Sequence, residues 1–233
     1  MLVGELMDEP GLDPSAHRRA LRALARLNTL SRADAPIWRA IRAHHARQVH
    51  AAPIRLLDVA AGSGDVLLRV CRRAAREGID MIPVVCDISP EACALAEARA
   101  EQLGVRLKTH ALDATRDPLP TGFDVACCGL FLHHLTDSDA TRVLSAMRHA
   151  ASNGLVLVSD LARTPLGLSL AAAVPRFTTR SHIVHTDAVR SVRAAWARDE
   201  LRTLFTNADM PNPSITRVWP ERWLATWKGH PDA

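Results

Sequence analysis

Short apolar runs alternate with amphipathic stretches along most of this chain. Residues 54–59, 81–86, 123–128 and 155–159 are rich in Val, Leu, Ile, Ala and Cys, and 105–110 is a further short strand-like stretch. Such near-continuous runs are the mark of parallel strands buried on both faces. Between them, 65–77, 90–102 and 137–152 carry their apolar residues at helical spacing, with Ser89 as a cap and Gly154 as a stop. The alternation predicts βα units and a parallel sheet. Two later runs, 214–219 and 222–227, are separated only by Pro220 and Glu221. That link is too short for a helical crossover, so the pair is predicted antiparallel. The expected fold class is therefore α/β, a seven-stranded and mostly parallel sheet with its last strand antiparallel.

Two helices are predicted ahead of the first strand. Asp13-Pro14 is a good helix start, and 15–30 puts Leu21, Leu24, Leu27 and Leu30 on one face. Arg18, Arg19, Arg22 and Arg26 fall mostly on the other. A second helix over 35–49 holds Ile37, Trp38, Ile41 and Val49. Residues 1–12 read as a loose arm. The regular pattern weakens over 161–193, where 166–174 is apolar and helical and 175–193 is polar, His-containing and irregular. A helix resumes over 194–207. The reading is one domain: an arm and covering helices over 1–50, and a main unit over 51–233 with an insertion at about 161–193.

At 233 residues the chain can bury a proper core. Aromatic residues are few, with five Trp and no Tyr, so the core is expected to be aliphatic. Trp219 and Trp227 are read as sheet core. The net charge is +4, with arginines scattered among acids on helix faces. Most are read as solvated surface, with a nucleic-acid footprint as the lesser alternative. The five cysteines form no C-x-x-C pair and lie largely in strand-like runs, which predicts buried reduced thiols. Residues 1–13 lack an apolar signal core, and no stretch has the length of a membrane span. The expectation is a soluble, cytoplasmic protein without a membrane partner. Histidines and acids do not recur at ligand spacing such as H-E-x-x-H, so no metal is expected.

The stretch that organises the chemistry is 54–65, Ile-Arg-Leu-Leu-Asp-Val-Ala-Ala-Gly-Ser-Gly-Asp. A strand runs into a small-residue turn and then a helix, so main-chain N–H groups and a helix N-terminus face a ligand there. The dinucleotide fingerprint fails because Leu67 stands at its third glycine, and the phosphate loop fails because no lysine follows Gly64. What remains is an acid followed by small residues, a pattern that suits a cationic ligand. This stretch resembles motif I of the class I S-adenosylmethionine-dependent methyltransferases. Asp58, Ala60, Gly62 and Gly64 match D-x-G-x-G-x-G, with Ala60 in the first glycine position. The resemblance implies a Rossmann-like sheet, S-adenosylmethionine as cofactor and N-terminal helices that act as a lid.

Other residues extend the match. Asp87, closing the second strand, is placed to accept from both ribose hydroxyls, with Ile88 against the adenine. Asp113 and Ala114 stand where the family holds the adenine amino group, and Cys128 at the end of the fourth strand joins the cofactor set. Cys128-Gly129-Leu130-Phe131 lacks the [DNS]-P-P-[YFW] segment of many N-methyltransferases. Phe131-Leu132-His133-His134-Leu135 instead resembles the L-H-H segment of small-molecule methyltransferases related to the ubiquinone/menaquinone group. In that fold the pair faces the cleft mouth, where an imidazole can take a proton from a hydroxyl. Helix capping or packing is the structural alternative. Asp160, at the end of the fifth strand, is placed to orient one of them. Trp38, His182, His185 and Arg190 are candidates for the acceptor pocket. The function expected is methylation of a small molecule, first O-methylation of a phenolic or polyketide-type natural product of bacterial secondary metabolism, with C-methylation of an aromatic or quinone precursor as the alternative. RNA methylation and a non-catalytic S-adenosylmethionine-binding role stand behind these. A homodimer is left open.

Overall fold

The computed structural model describes residues 14–47, 52–178 and 182–229. The N-terminal arm and the end of the expected second helix lie outside them. Seven strands form one sheet: β1 Ile54–Val59, β2 Met81–Asp87, β3 Lys108–Ala111, β4 Val125–Gly129, β5 Leu155–Leu161, β6 Ser214–Val218 and β7 Arg222–Lys228. The helices are α1 Pro14–Leu30, α2 Asp34–His45, α3 Asp65–Arg76, α4 Pro90–Gln102, α5 Asp137–Ala150, α6 Pro165–Thr178, α7 His182–Ala194 and α8 Arg198–Asn207. The strand order is β3-β2-β1-β4-β5-β7-β6, and β7 runs antiparallel to both of its neighbours.

Period-two alternation sorts the core into two layers. Leu57, Val59, Ala126 and Cys128 pack on one face with α5 and α8. Ile54, Leu56, Val125 and Cys127 pack on the other with α2 and α3. Asp58 shares the phase of Ile54 and Leu56, so it faces the α2–α3 side at the carboxyl end of β1. From β1 the chain moves outward through β2 and β3, then returns to β4 on the opposite side of β1. Open α/β sheets bind ligands at the crevice this reversal opens.

Local signals fix several boundaries. Ser89 Oγ accepts from Ala92 N at 3.2 Å and Thr136 Oγ1 from Asp139 N at 3.2 Å, capping α4 and α5. β3 is shorter than expected, because Val105 and Leu107 precede it as packing residues against the α3 layer. β4 starts two residues later than expected: Phe123 N bonds to Ala150 O and Asp124 N to Arg55 O. The predicted irregular stretch 175–193 is largely helix. Val184, Ala188 and Val192 recur at helical spacing in α7 and border a cavity. The helix expected over 194–207 is broken, and Glu200 Oε2 accepts from Ala197 N at 2.8 Å where α8 begins. Trp219 is not sheet core; it is 72% exposed.

A Cβ at Gly154 would run into the main-chain carbonyl of Asp124, whose oxygen also accepts from Leu155 N at 2.9 Å. Backbone cannot swing aside as a flexible side chain can. Gly154→Ala is expected to cost about 1–3 kcal/mol, read as a lower urea midpoint with an unchanged slope.

Candidate active site

The strand-to-helix turn after β1 has left-handed backbone at Ala60, Gly62 and Gly64, with φ of 54°, 54° and 66°. At Gly64 an added Cβ would sit 3.1 Å from the Ala96 Cβ of α4, so glycine meets both a conformational and a steric demand there. Gly62 N donates to Asp87 Oδ2 at 2.7 Å, and Ser89 N donates to Oδ1 at 2.9 Å. Asp87 therefore ties the turn to the start of α4 as well as bordering the cleft. Arg99 holds the turn from α4 through Ser63 O at 3.1 Å.

Asp58 lies beneath this turn, 6% exposed. Burial pushes its carboxyl up to about 7, opposed by a bond from Cys127 Sγ and reinforced by the charges of Asp65 and Asp87. Cys127 Sγ is 3.4 Å from Asp58 Oδ1. Cys128 is not part of the cleft. Strand alternation turns it into the opposite layer at 1% exposure, and Gly129 takes the cleft position.

A cleft of about 620 Å³ runs along the carboxyl ends of β1, β2 and β4. Asp58, Ala60, Gly62, Asp87, Ile88, Asp113, Ala114 and His134 all border it, and Gly64 supports the turn from behind. Ile88 is 69% exposed, a flat apolar wall. Asp113 Oδ1 accepts from Thr115 N at 2.9 Å and Thr115 Oγ1 at 2.6 Å. Those bonds, with Arg116 nearby, hold its carboxyl below the usual range, so it also closes a local turn.

The donor set fits a nucleoside with a positive end. Three acids crowd the turn, and a cation beside Asp58 would relieve the penalty that raises its pKa. Among the described residues, only Leu21 Cδ2, at 4.0 Å, stands near a Cβ built on Gly62. The main chain is thus open to a close-lying ligand.

A second cavity of about 420 Å³ adjoins the cleft and is walled mainly by α1, α6 and α7. Leu24, Asn28, Leu130, His134 and Arg222 border both. His133 borders the second and is 4% exposed. It sits in a 3-10 turn, Leu132–His134, whose Leu132 O accepts from Trp196 Nε1 at 3.0 Å. Its Nδ1 lies 2.6 Å from Asp160 Oδ1, and its main-chain N donates to Asp160 Oδ2 at 3.2 Å. Leu161 N also donates to Oδ1, at 2.7 Å. Burial works against charge on Asp160, but the His133 ring and these bonds outweigh it and hold the carboxyl below its ordinary value. A carboxylate there accepts the Nδ1 proton and makes Nε2 the basic nitrogen of the neutral ring. The His134 ring lies beside it, centroids 4.2 Å apart and tilted by 34°.

The expected acceptor residues fare differently. Trp38 borders neither space; it is 3% exposed in the α2–α3 layer and donates Nε1–H to Glu77 Oε1 at 2.9 Å. Neither His185 nor Arg190 borders the cavity. His185 Nε2 lies 3.2 Å from Pro175 O, between α7 and α6, and Arg190 pairs with Asp187 at 3.9 Å. Asp187 itself borders the cavity. His182 opens α7, but its side chain lies outside the described residues. Sequence reasoning missed Asn28 and Arg222. The only trace of Asn28 is a polar residue on the leucine face of α1. Among the described residues no group of three or more His, Cys, Asp or Glu could hold a metal, and no helix is long and apolar enough to cross a membrane.

Residues 56–154 match a family model described as a methyltransferase domain. Over 110 residues the chain is 34% identical to 3-hydroxy-5-methyl-1-naphthoate 3-O-methyltransferase of Streptomyces sahachiroi, 46% of this chain and 30% of that protein. Over 104 residues it is 33% identical to demethylmenaquinone methyltransferase of Deinococcus radiodurans, 43% of this chain and 39% of that protein. The matched stretches thus span under two-fifths of these curated relatives. Among solved structures, the plantazolicin methyltransferase BpumL in complex with SAH superposes with a TM-score of 0.70 at 15% identity, covering 94% of this chain and 92% of that one. An O-methyltransferase family 2 protein from Planctomyces limnophilus, in complex with apigenin, gives 0.65 at 21% identity, covering 95% and 63%. These two likenesses show a shared fold.

Proposed function

We propose that this chain, whose residues 56–154 match a methyltransferase domain, methylates a hydroxyl of a small aromatic acceptor using S-adenosylmethionine. The observation that carries the reading is the pairing of two spaces. One is lined by a glycine turn and acids; the other is apolar and bordered by a carboxylate-bound histidine. S-adenosylmethionine, when bound, supplies an electrophilic methyl group on a positively charged sulfur. The residues suited to hold it are Asp58 under the turn, Gly62 and Gly64 in it, Asp87 for the ribose, and Ile88, Asp113 and Ala114 around the base.

The chain's own contribution is alignment, dryness and a base. The aliphatic walls of α1, α6 and α7 seat a planar acceptor and exclude water. His133 takes the hydroxyl proton at Nε2 as the oxygen becomes nucleophilic, and Asp160 stabilises the resulting imidazolium. His134, bordering both spaces, sits where they meet. A naphthoate O-methyltransferase among the relatives favours an aromatic acceptor and an oxygen target. The demethylmenaquinone methyltransferase keeps methylation at another atom of the acceptor as the second reading.

Calorimetric titration of the chain with S-adenosylhomocysteine is expected to give a dissociation constant in the micromolar range. Incubation with methyl-labelled S-adenosylmethionine and phenolic acceptors is expected to place the label on oxygen. An absence of binding removes the enzyme reading, and label on ring carbon shifts it to the alternative.

A further inference from the structure

Arg222 opens β7 at the meeting point of the two spaces and is 7% exposed. Its Nη2 donates to Asn28 Oδ1 at 3.2 Å and to Ser31 Oγ at 3.4 Å, both neutral groups. Among the described residues its buried Nε has no hydrogen-bond partner. Burial draws the guanidinium down only to about 10, with Asp160 and Asp65 favouring the cation from farther off. The surrounding acids have other partners. Asp160 holds His133 and Leu161 N, Asp65 pairs with Arg69 at 3.1 Å, Asp187 with Arg190, and Glu221 with Thr164 and Arg217. A charged, buried group with an unmet donor is costly to keep unless something binds it.

We infer that the acceptor is a hydroxy-aryl acid whose carboxylate is received by Arg222, an inference that rests on the methyltransferase reading above and names its substrate class. Arg222 and His133 border the same apolar cavity. A planar ring in that cavity can present a hydroxyl to one and a carboxylate to the other. One guanidinium balances one monoanion and under-compensates a phosphate. The competing source of a carboxylate is the amino-acid end of the cofactor, since Arg222 borders the cleft as well. Two strands, β4 and β5, separate β7 from the glycine turn at β1, which favours the acceptor.

The test is calorimetry on the whole chain, with and without S-adenosylhomocysteine, titrating a hydroxynaphthoic acid, its carboxamide and the parent naphthol. The acid is expected to bind at least tenfold tighter than the amide. Arg222→Met is expected to erase that ratio and shift S-adenosylhomocysteine affinity less than threefold, while its melting temperature reads the lost bonds to Asn28 and Ser31. Arg222→Lys keeps the charge, retains part of the ratio and serves if the Met variant does not fold. Equal binding of acid and amide to the wild type overturns the inference without any variant. So does a retained ratio with weakened S-adenosylhomocysteine binding, which assigns Arg222 to the cofactor. A retained ratio with a lower melting temperature overturns it too, making Arg222 a tie to α1. Failure of wild type to bind S-adenosylhomocysteine removes the methyltransferase reading instead, and the acid-to-amide ratio measured without it still reads Arg222.

Discussion

Asp160→Asn is expected to lower kcat by about 10²–10⁴-fold, the usual loss when a general base is disabled. Asp160 accepts three bonds on two oxygens: Nδ1 and Leu161 N on Oδ1, and the His133 main-chain N on Oδ2. An amide has only one acceptor oxygen. With that oxygen at the Oδ1 site, its NH2 meets the His133 N–H. Flipped, its NH2 faces Nδ1, and the ring must carry its proton on Nε2, where the base should be. Either way the charge that steadies the imidazolium is gone. His133→Ala is expected to lose a similar factor and His134→Ala less, because the Asp160 bonds go to His133. The deficit should shrink with more acidic phenols and at higher pH, where the acceptor arrives deprotonated. S-adenosylhomocysteine affinity should hold, since Asp58 and Asp87 stand on β1 and β2. A deficit that stays constant across acceptors of falling pKa, or an Asp160→Asn variant within threefold of wild type, sinks the base assignment.

Sequence made β1, β2, β4 and β5 legible because strands buried on both faces leave near-continuous apolar runs that little else imitates. The glycine turn and Asp58, Asp87, His133, His134 and Asp160 were legible for a related reason. Each stands at a carboxyl-terminal strand end or in the loop just beyond it, and the topology brings those ends to one edge. Assignments that depended on phase or on distant packing were less secure. Cys128 and Cys127 differ by one residue, and alternation sends only Cys127 to Asp58. Trp38 packs into the α2–α3 layer, and it is its neighbour Ile37 that borders the cleft. In α7 the polar residues His185, Asp187 and Arg190 masked the apolar spacing. Arg222 could not be found from its neighbours in sequence, because its meaning comes from Asn28, 194 positions earlier.

The stability of the ligand-free chain is expected to fall as pH rises from about 4 to about 7, through Asp58. Its carboxyl titrates near 7 in the folded chain and near 3.9 when unfolded. Between those values the folded state holds the proton that the unfolded state has released, so rising pH favours unfolding. Three pKa units correspond to about 4 kcal/mol, an upper figure for this one group. Asp58→Asn removes the titration. The variant is expected to show a flatter stability–pH profile and, at pH 8, a higher urea midpoint than wild type. The same substitution should weaken S-adenosylhomocysteine binding by about 10–100-fold, because the ligand's amino group then meets an amide in place of a carboxylate. A cation beside Asp58 lowers its pKa, so binding to wild type at pH 6 must release a proton. Calorimetry in buffers of different ionisation enthalpy reads that release directly. Wild-type binding that releases no proton at pH 6, or an Asp58→Asn variant that binds as tightly as wild type, separates this buried acid from the ligand and leaves its high pKa a matter of burial alone.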